Sequence, residues 1–375
     1  MAGIYIHIPF CKQACSYCNF HFSTKLSKKE VVLAAIHKEI ELRKDYLGGE
    51  RIDTVYFGGG TPSLLSKEEL EDLVKVIHSH FSLHDEVEYC FEANPDDLTE
   101  PTLIWLNESP INRLSIGIQS FQEADLTFMN RVHNADEAIR CVRKAQKIGF
   151  SNISLDLIFG SQTTTDDMWR QNLEIFFDLG VDHLSAYSLT IEEKTALIHR
   201  IQNGRIEALD EDRNYRQYMI LQEMIEMNGF EQYELSNYCK NDRYSKHNTS
   251  YWLGQNYLGI GPSAHSYNGI SRQWNVSNNN AYIKKVKNND PYHQIELLSE
   301  IDKYNEYLIN SLRTKWGINI LKLSQKFSDK IVNHFNKQVT LLSANLVSLT
   351  KAQLLVKKEK LFQSDEIVRH LMMEV

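Results

Sequence analysis

The stretch IHIPFCKQACSYCNFHF, residues 6–22, connects an apolar, β-rich run to three closely spaced cysteines. Cys11, Cys15 and Cys18 fall within eight positions, and Phe20 stands where a fourth cysteine would continue the pattern. Thiolates at this density bind soft metals. This apolar run ends where the cysteine-rich segment begins, and it is the first of several predicted strands whose ends carry polar or glycine residues. Together these strand ends predict the fold.

Six short β-rich runs occur in the first half of the chain: GIYIHIP (3–9), DTVYFGGG (53–60), VEYCFEAN (87–94), RLSIGIQS (113–120), NISLDLIFG (152–160) and HLSAYSLT (183–190). Segments with helical period lie between most of them, for example residues 28–47, 66–81 and 135–149. Strands that alternate with helices predict a parallel βα series. An open doubly wound sheet and a partial barrel both fit this alternation.

The positions of polar and glycine residues favour one of these two folds. Five of them lie at or just beyond the carboxyl end of a predicted strand: Cys11, GGGT (58–61), Glu92, Gln119 and Gly160. In βα barrels this edge is where binding sites are built. Five such positions on one rim therefore favour a partial, TIM-like (β/α)6 barrel of the α/β class, with a ligand cup at its open end.

The pattern changes in the second half of the chain. Residues 210–230 predict a long helix, and residues 231–282 are rich in aromatic residues and asparagine. From about residue 300 the sequence predicts helices, a short β-like run and a last helix near 365–373, an order similar to a small winged-helix module. We expect a barrel over residues 1–230, a connecting segment over 231–300 and a C-terminal, mainly helical module over 301–375.

Composition and charge limit the classes of function. The chain has 375 residues, of which 42% are apolar, so it can bury a large core. The net charge is −8, although residues 301–375 carry 12 Lys and Arg against 7 Asp and Glu. An acidic main body argues against a nucleic-acid partner. No apolar run is long enough for a membrane span and no signal peptide is apparent, so we expect a cytoplasmic protein that is not integral to a membrane.

The cysteine count leaves two kinds of metal site open. Cys90, Cys141 and Cys239 are scattered and are expected in the core. A structural zinc site needs four ligands, and His7 or His21 would have to supply the fourth. A cubane iron–sulfur cluster held by only three thiolates instead leaves one iron open to a small molecule.

The spacing CxxxCxxC followed by an aromatic residue resembles the radical S-adenosylmethionine (SAM) superfamily. The resemblance implies that Cys11, Cys15 and Cys18 ligate a 4Fe-4S cluster. It also implies that the amino and carboxylate groups of SAM chelate the open iron, and that reductive cleavage of SAM yields a 5′-deoxyadenosyl radical.

Within the superfamily, the motifs YIHIPFCxxxCxYC, FGGGTPS, FEANPDDL, RLSIGIQSF, NRVH, SLDLIFG and YLGIGPSAHS resemble the oxygen-independent coproporphyrinogen III oxidase branch over nearly the whole chain. The resemblance implies a set of SAM contacts, with His7 near the reactive sulfonium: Tyr5, Gly59, Gly60, Thr61, Glu92, Gln119, Arg131 and Asp156. Simpler explanations stay open for several of them. A tight βα turn would explain the glycines, a helix N-cap would explain Glu92, and Arg131 could lie on a surface helix.

Two features depart from the oxidases. They have CxxxCxxCxC where this chain has Phe20, and they carry a longer extension before the cluster than the ten residues found here. The segment KHNTSYW, residues 246–252, instead contains HNxxYW, which is similar to the signature of the heme chaperone HemW family. A neutral imidazole is a good axial ligand for heme iron, so His247 is the candidate ligand. A packed or capping histidine is the alternative.

Together these resemblances predict a heme chaperone that carries a SAM-bound 4Fe-4S cluster and delivers heme to heme-accepting apoproteins. Transient contact with membrane heme proteins is a further expectation. Oxidative decarboxylation of coproporphyrinogen is the alternative function, and radical modification of tRNA is a third. The acidic body of the chain disfavours the third.

Overall fold

The computed structural model describes residues 2–374. Within these residues there are fifteen strands: Ala2–Ile8 (β1), Ile52–Gly59 (β2), Leu83–Ala93 (β3), Arg113–Gln119 (β4), Ile153–Phe159 (β5), His183–Ser188 (β6), Glu231–Gln232 (β7), Asn237–Cys239 (β8), Asn256–Ile260 (β9), His265–Tyr267 (β10), Ser271–Asn275 (β11), His293–Leu297 (β12), Ile318–Asn319 (β13), Val347–Leu349 (β14) and Gln353–Val356 (β15).

The same described residues form fourteen α-helices: Lys29–Leu42 (α1), Lys67–His80 (α2), Glu100–Glu108 (α3), Glu123–Phe128 (α4), Ala135–Ile148 (α5), Asp166–Asp178 (α6), Ala196–Gln202 (α7), Glu211–Met227 (α8), Lys246–Trp252 (α9), Asn279–Asn288 (α10), Glu300–Leu312 (α11), Ile320–Lys326 (α12), Asp329–Leu341 (α13) and Ser364–Leu371 (α14). Across residues 2–374, none of the helices is both long enough and apolar enough to span a lipid bilayer.

The main sheet confirms the partial barrel. Its strand order is β12-β11-β10-β9-β1-β2-β3-β4-β5-β6-β8-β7, and β1 to β6 are parallel neighbours in chain order. Right-handed crossovers between sequential strands place every helix on one face, which curls the sheet. A doubly wound sheet would instead reverse its strand order at an internal switch point. The free edge of β1 pairs with β9, so the six parallel strands form an open barrel.

Local sequence signals explain where the barrel elements begin and end. Alternate residues of β1, such as Ile4 and Ile6, are fully buried, as expected where helices cover one face of a sheet. Helix α2 begins with a capping box in which Ser66 and Glu69 each bond to the other's backbone N–H. Helix α5 ends at Gly149, whose φ of 128° an L-residue rarely adopts.

Residues 231–300 extend the sheet instead of merely connecting two parts of the chain. Strands β7 and β8 continue the sheet beyond β6, and strands β9 to β12 continue it beyond β1. Helix α9 contacts β1, β2 and β3, and its Lys246 and His247 N–H groups donate to the Glu88 carboxylate. Glu88 lies where the regular pairing of β3 with β2 begins. Helix α9 therefore covers the amino end of the barrel.

The C-terminal module is mainly helical, as the sequence predicts. Its three-stranded sheet has the order β13-β15-β14. A second cluster of buried side chains, separate from the barrel core, includes Tyr304, Phe335 and Leu371. The division of the chain into three domains stays a prediction.

A buried carboxylate fastens the sheet extension to the barrel. Glu39 of α1 is fully buried and accepts hydrogen bonds from the Gly261 N–H (2.8 Å), the Asn275 side chain (2.7 Å) and the Tyr282 hydroxyl (2.5 Å). Arg43 lies 3.9 Å from it, one turn along the same helix. One side chain therefore joins α1, the β9–β10 connection, β11 and α10.

Loss of this carboxylate should destabilise the protein. Glu39→Ala leaves Arg43 and three hydrogen-bond donors without their acceptor, and it should lower the free energy of unfolding by about 3 kcal/mol. Urea denaturation measures the change. Glu41→Ala, on the exposed face of the same helix, is the matched control and should keep the parent's midpoint. Equal midpoints for both variants would contradict the role assigned to Glu39.

Candidate functional site

A cavity of about 650 Å³ opens at the carboxyl ends of the parallel strands, and we call it the cup. Ten of the twelve residues that the sequence predicts for the cluster and cofactor sites line it: Cys11, Cys15, Cys18, Gly59, Gly60, Thr61, Glu92, Gln119, Arg131 and Asp156. They come from β2, β3, β4 and β5 and from the loops that follow β1, β2 and α4. Four of the five rim positions that favoured a barrel are therefore brought together in the cup, whereas Gly160 is not among its lining residues.

The cysteines lie on a loop that leaves β1 and crosses the cup. The Cys11 N–H donates to the Ser23 carbonyl, which fixes the two ends of the loop near each other. Burial raises the pKa of the Cys11 thiol to about 11, and burial also raises the pKa of Cys18. Among residues 2–374, no three His, Cys, Asp or Glu side chains lie close enough to hold a single metal ion.

The glycines at the end of β2 are required for close packing. A Cβ on Gly60 would lie 2.6 Å from the Phe10 carbonyl oxygen, and one on Gly59 would lie 2.4 Å from the His7 ring. Gly59 also has a φ of 107°. The Gly60 N–H donates to the Ile8 carbonyl at 2.9 Å, and the Gly59 N–H donates to Glu92. The glycines therefore let the cysteine loop start directly against β2, whatever ligand the cup receives.

Two carboxyl groups face the cup. Glu92 accepts hydrogen bonds from the Tyr56 hydroxyl (2.7 Å) and the Gly59 N–H (3.1 Å). Burial nevertheless raises the pKa of Glu92 to about 7 and that of Asp156 to about 6. Thr99, rather than Glu92, caps the following helix α3, so the N-cap explanation for Glu92 is wrong.

Arg131 is half-buried and lines the cup from the loop between α4 and α5, so the alternative of a surface position on a helix is wrong for it. Its guanidinium donates to the Cys15 sulfur at 3.3 Å, to the Asn94 side chain at 2.7 Å and to the Gly117 carbonyl at 2.6 Å. Gln119 ends β4 with a φ of 70°, a left-handed conformation that is uncommon outside glycine.

His247 lies outside the cup. It belongs to α9, at the amino end of the barrel strands. It is 1% exposed, and its ring centroid is 4.9 Å from that of Tyr56. Both ring nitrogens have partners, because Nδ1 is 2.7 Å from the Thr54 hydroxyl and Nε2 is 2.7 Å from the Tyr251 hydroxyl. Burial lowers the pKa of His247 to about 3, so the ring is neutral.

A second cavity of about 550 Å³ lies beside β1, and we call it the side cavity. Its walls are the sheet extension, the end of α9, helix α11 and the cysteine loop: Tyr5, His7, His21, Tyr251, Tyr257, His265, Tyr267 and Arg272 belong to them. Tyr5 therefore lines the side cavity and not the cup. Asn19 and Phe20 line both cavities, and Phe20 is 69% exposed.

The remaining cysteines are buried. Cys90, Cys141 and Cys239 are 1%, 3% and 2% exposed, respectively. Sequence reasoning missed His265, although it lies inside the quoted motif YLGIGPSAHS. The available signal was the position of this histidine just after an apolar run that contains Gly259 and Gly261.

The chain is similar to known proteins over most of its length. The Radical SAM superfamily pattern matches residues 5–185, and the HemN C-terminal domain pattern matches residues 298–363. The heme chaperone HemW of Mycobacterium tuberculosis is 34% identical over 326 residues, which cover 86% of this chain and 84% of that protein. The proteins of the same name from Bacillus subtilis and Lactococcus lactis are each 33% identical, over 87% and 90% of this chain and over 87% and 88% of their own lengths.

A solved structure shows the same fold. Coproporphyrinogen III oxidase (HemN) from Escherichia coli, described as a radical SAM enzyme, superposes with a TM-score of 0.87. The match covers 100% of this chain and 90% of the oxidase, at 20% sequence identity. At this identity, the likeness establishes the fold alone.

The raised pKa of Asp156 predicts a pH dependence of stability. The folded state holds a proton on Asp156 up to about pH 6, whereas the unfolded chain releases it near pH 4. This contribution is therefore full at low pH and is lost as the pH rises through 6. Asp156→Asn should lose about 2 kcal/mol less stability between pH 4 and pH 8 than the parent does.

Urea unfolding of the cluster-free protein at several pH values measures this difference. Asp167→Asn, which alters an exposed carboxylate at the start of α6, is the control and should follow the parent curve. Parallel curves for the parent and for Asp156→Asn would show that the buried carboxyl group does not titrate as described.

Proposed function

Because this chain belongs to the HemW heme chaperone family of the radical SAM superfamily, we propose that it binds heme and transfers it to heme-accepting apoproteins. The observation that carries the proposal is the pairing of two cavities across one loop. The cup contains a cysteine triad, and the side cavity is walled by tyrosine and histidine side chains. Both are large enough for a cofactor-sized molecule.

The residues of the cup fit a 4Fe-4S cluster with SAM. Three thiols line a cavity of about 650 Å³, and Arg131 donates a charged hydrogen bond to one of them. When bound, such a cluster with SAM on its open iron supplies one-electron reductive chemistry. Arg131 would position the Cys15 sulfur through this hydrogen bond, and the carboxylates of Glu92 and Asp156 would accept hydrogen bonds from the hydroxyl and amino groups of SAM. The predicted roles of Gly59, Gly60, Thr61 and Gln119 are to position this ligand.

The side cavity supports the carrier function. Tyr251, the tyrosine of the HNxxYW motif, lies edge-on to Tyr257 with ring centroids 4.5 Å apart, and both line the cavity. Aromatic walls of this kind suit a flat, apolar macrocycle. The motif predicts His247 as the axial ligand. Ligation by His247 would require one of its two present hydrogen bonds to break.

Coproporphyrinogen oxidation is the alternative activity. The fold is shared with the bacterial oxidase, but this chain has the aromatic ring of Phe20 where the oxidases have a fourth cysteine. That ring lines both cavities and is mostly exposed. It therefore places an aromatic ring, instead of a thiol, in the wall that the two cavities share, and a carrier function explains this site better.

The partners follow from this function. We propose delivery in the cytoplasm to apoproteins, including membrane heme proteins met transiently, and we propose no nucleic-acid partner. The C-terminal module carries 12 Lys and Arg against 7 Asp and Glu over residues 301–375. This excess would favour contact with an acidic acceptor surface.

The cysteine triad is tested by reconstitution without oxygen. The parent protein should take up about four irons and four sulfides per chain, and Cys15→Ala should retain almost none. Cys141→Ala is the matched control, because that thiol is buried in helix α5 and should leave the cluster intact. Iron and sulfide assays measure both. A Cys15→Ala protein with the parent's iron content would refute the cluster assignment.

Heme carriage and porphyrin oxidation give opposite results in one pair of experiments. Hemin titrated into the protein should produce a Soret band that saturates at about one heme per chain, and the loaded protein should restore a heme-free membrane cytochrome in vesicles. Anaerobic incubation with coproporphyrinogen III, SAM and a reductant should leave the porphyrinogen unchanged, which chromatography measures. Decarboxylated product without heme binding would instead establish the oxidase.

A further inference from the structure

We propose that heme binds in the side cavity and that His265 supplies the axial ligand to its iron. The proposal rests on the heme-binding function proposed above, and it adds the place and the ligand. His265 begins β10, and its side chain is an exposed part of the cavity wall. Among residues 2–374, its ring has no hydrogen-bonding partner.

The other histidines near the cavity are engaged at one or both ring nitrogens. His7 Nε2 is 2.8 Å from the His21 carbonyl oxygen, and His7 Nδ1 is 3.4 Å from the Tyr5 hydroxyl. His21 Nε2 is 2.6 Å from the Asn279 side-chain oxygen. His247 has partners on both nitrogens and is almost fully buried. To bind one of these nitrogens of His7, His21 or His247, a heme iron would have to displace its hydrogen-bonding partner. At His265 it would displace none.

The sheet holds His265 in a fixed position. A Cβ on Gly259 would lie 2.0 Å from the His265 carbonyl oxygen, so only a glycine in β9 lets β10 approach this closely. The imidazole ring stacks on Trp274 of β11, with ring centroids 6.4 Å apart and an angle of 27° between planes. A ligand that is held by strand pairing and by stacking loses little freedom when it binds iron.

Its surroundings keep the ring in the form that binds metal. Partial desolvation in the cavity wall and the nearby positive charge of Arg272 lower the pKa of His265, and both effects favour neutral imidazole. Arg272 itself lies in the cavity wall between Glu296 of β12 and Glu306 of α11. His21 and His7 are the other imidazoles that face His265 across the cavity. The guanidinium is a cation with which a heme propionate can pair.

The aromatic wall completes a pocket for a macrocycle. Tyr267 of β10 lies opposite Tyr257 of β9. On the other side of β10, His265 lies opposite Trp274 of β11. The Asn310 side chain of α11 donates to the Tyr251 carbonyl at 3.4 Å, which brings the C-terminal module against the cavity. The cavity of about 550 Å³ thus has a tyrosine-rich wall, the exposed imidazole of His265 and the guanidinium of Arg272.

Hemin titration of matched variants tests the ligand. His265→Ala should weaken hemin binding about tenfold or more and shift the Soret band, because even the loss of an outer-shell partner costs roughly 10- to 100-fold in metal affinity. His247→Ala should retain the Soret position of a histidine-ligated heme, and any loss of affinity should come only from the Tyr251 hydroxyl that loses its partner in the cavity wall. His370→Ala, which removes an exposed histidine of α14, is the control and should bind as the parent does.

Added imidazole separates the loss of a ligand from the loss of the fold. Free imidazole should restore the parent's Soret position in His265→Ala, because it can occupy the space that the side chain leaves. Parent-like affinity and spectrum in His265→Ala would overturn the proposal, as would loss of the ligand band in His247→Ala alone. If the parent binds no hemin, the proposed function itself fails, and this result is distinct from the other two.

Discussion

The pairing of β1 with β9 is the interaction on which both cavities depend. In a closed barrel the free edge of β1 would meet the last parallel strand, whereas here Tyr5 pairs with Gly259 of a strand that begins about 250 residues later. The barrel stays open, and the sheet continues through β10, β11 and β12. The cysteine loop leaves β1 at this junction, so it has the cup on one side and the side cavity on the other.

The floor of the barrel is a polar network with a positioning role. Glu88 anchors the first turn of α9, and His247 of that helix bonds to Thr54 on one side and to Tyr251 on the other. A buried imidazole with two satisfied nitrogens fixes the rotamers of its neighbours. Tyr251 is one of them, and its ring lines the side cavity. The HNxxYW motif thus connects the barrel floor to the proposed heme site through one hydrogen bond.

Much of the barrel could be predicted from local sequence, because strand and helix periods and capping signals act over few residues. The strand ends that carry Glu92 and Gln119 fell on one rim as expected. The strands over residues 231–300 could not be read in the same way, since β7, β8 and β10 span only two or three residues each. Their pairing is long-range, and no local pattern reveals it. For the same reason the sequence could not place Tyr5 in the side cavity or show that His247 was already hydrogen-bonded.

Phe20 shows how one substitution can change both cavities. A thiol at this exposed position would be a metal ligand or a site of oxidation, whereas an aromatic ring is inert to both. The ring lies in the wall that the cup and the side cavity share, and 69% of it is exposed. In the proposed arrangement it stands between SAM in the cup and heme in the side cavity. A ligand in either cavity would contact the same loop, residues 11–22. Because such coupling is reciprocal, cluster and SAM binding would alter heme affinity by the same factor as heme alters theirs.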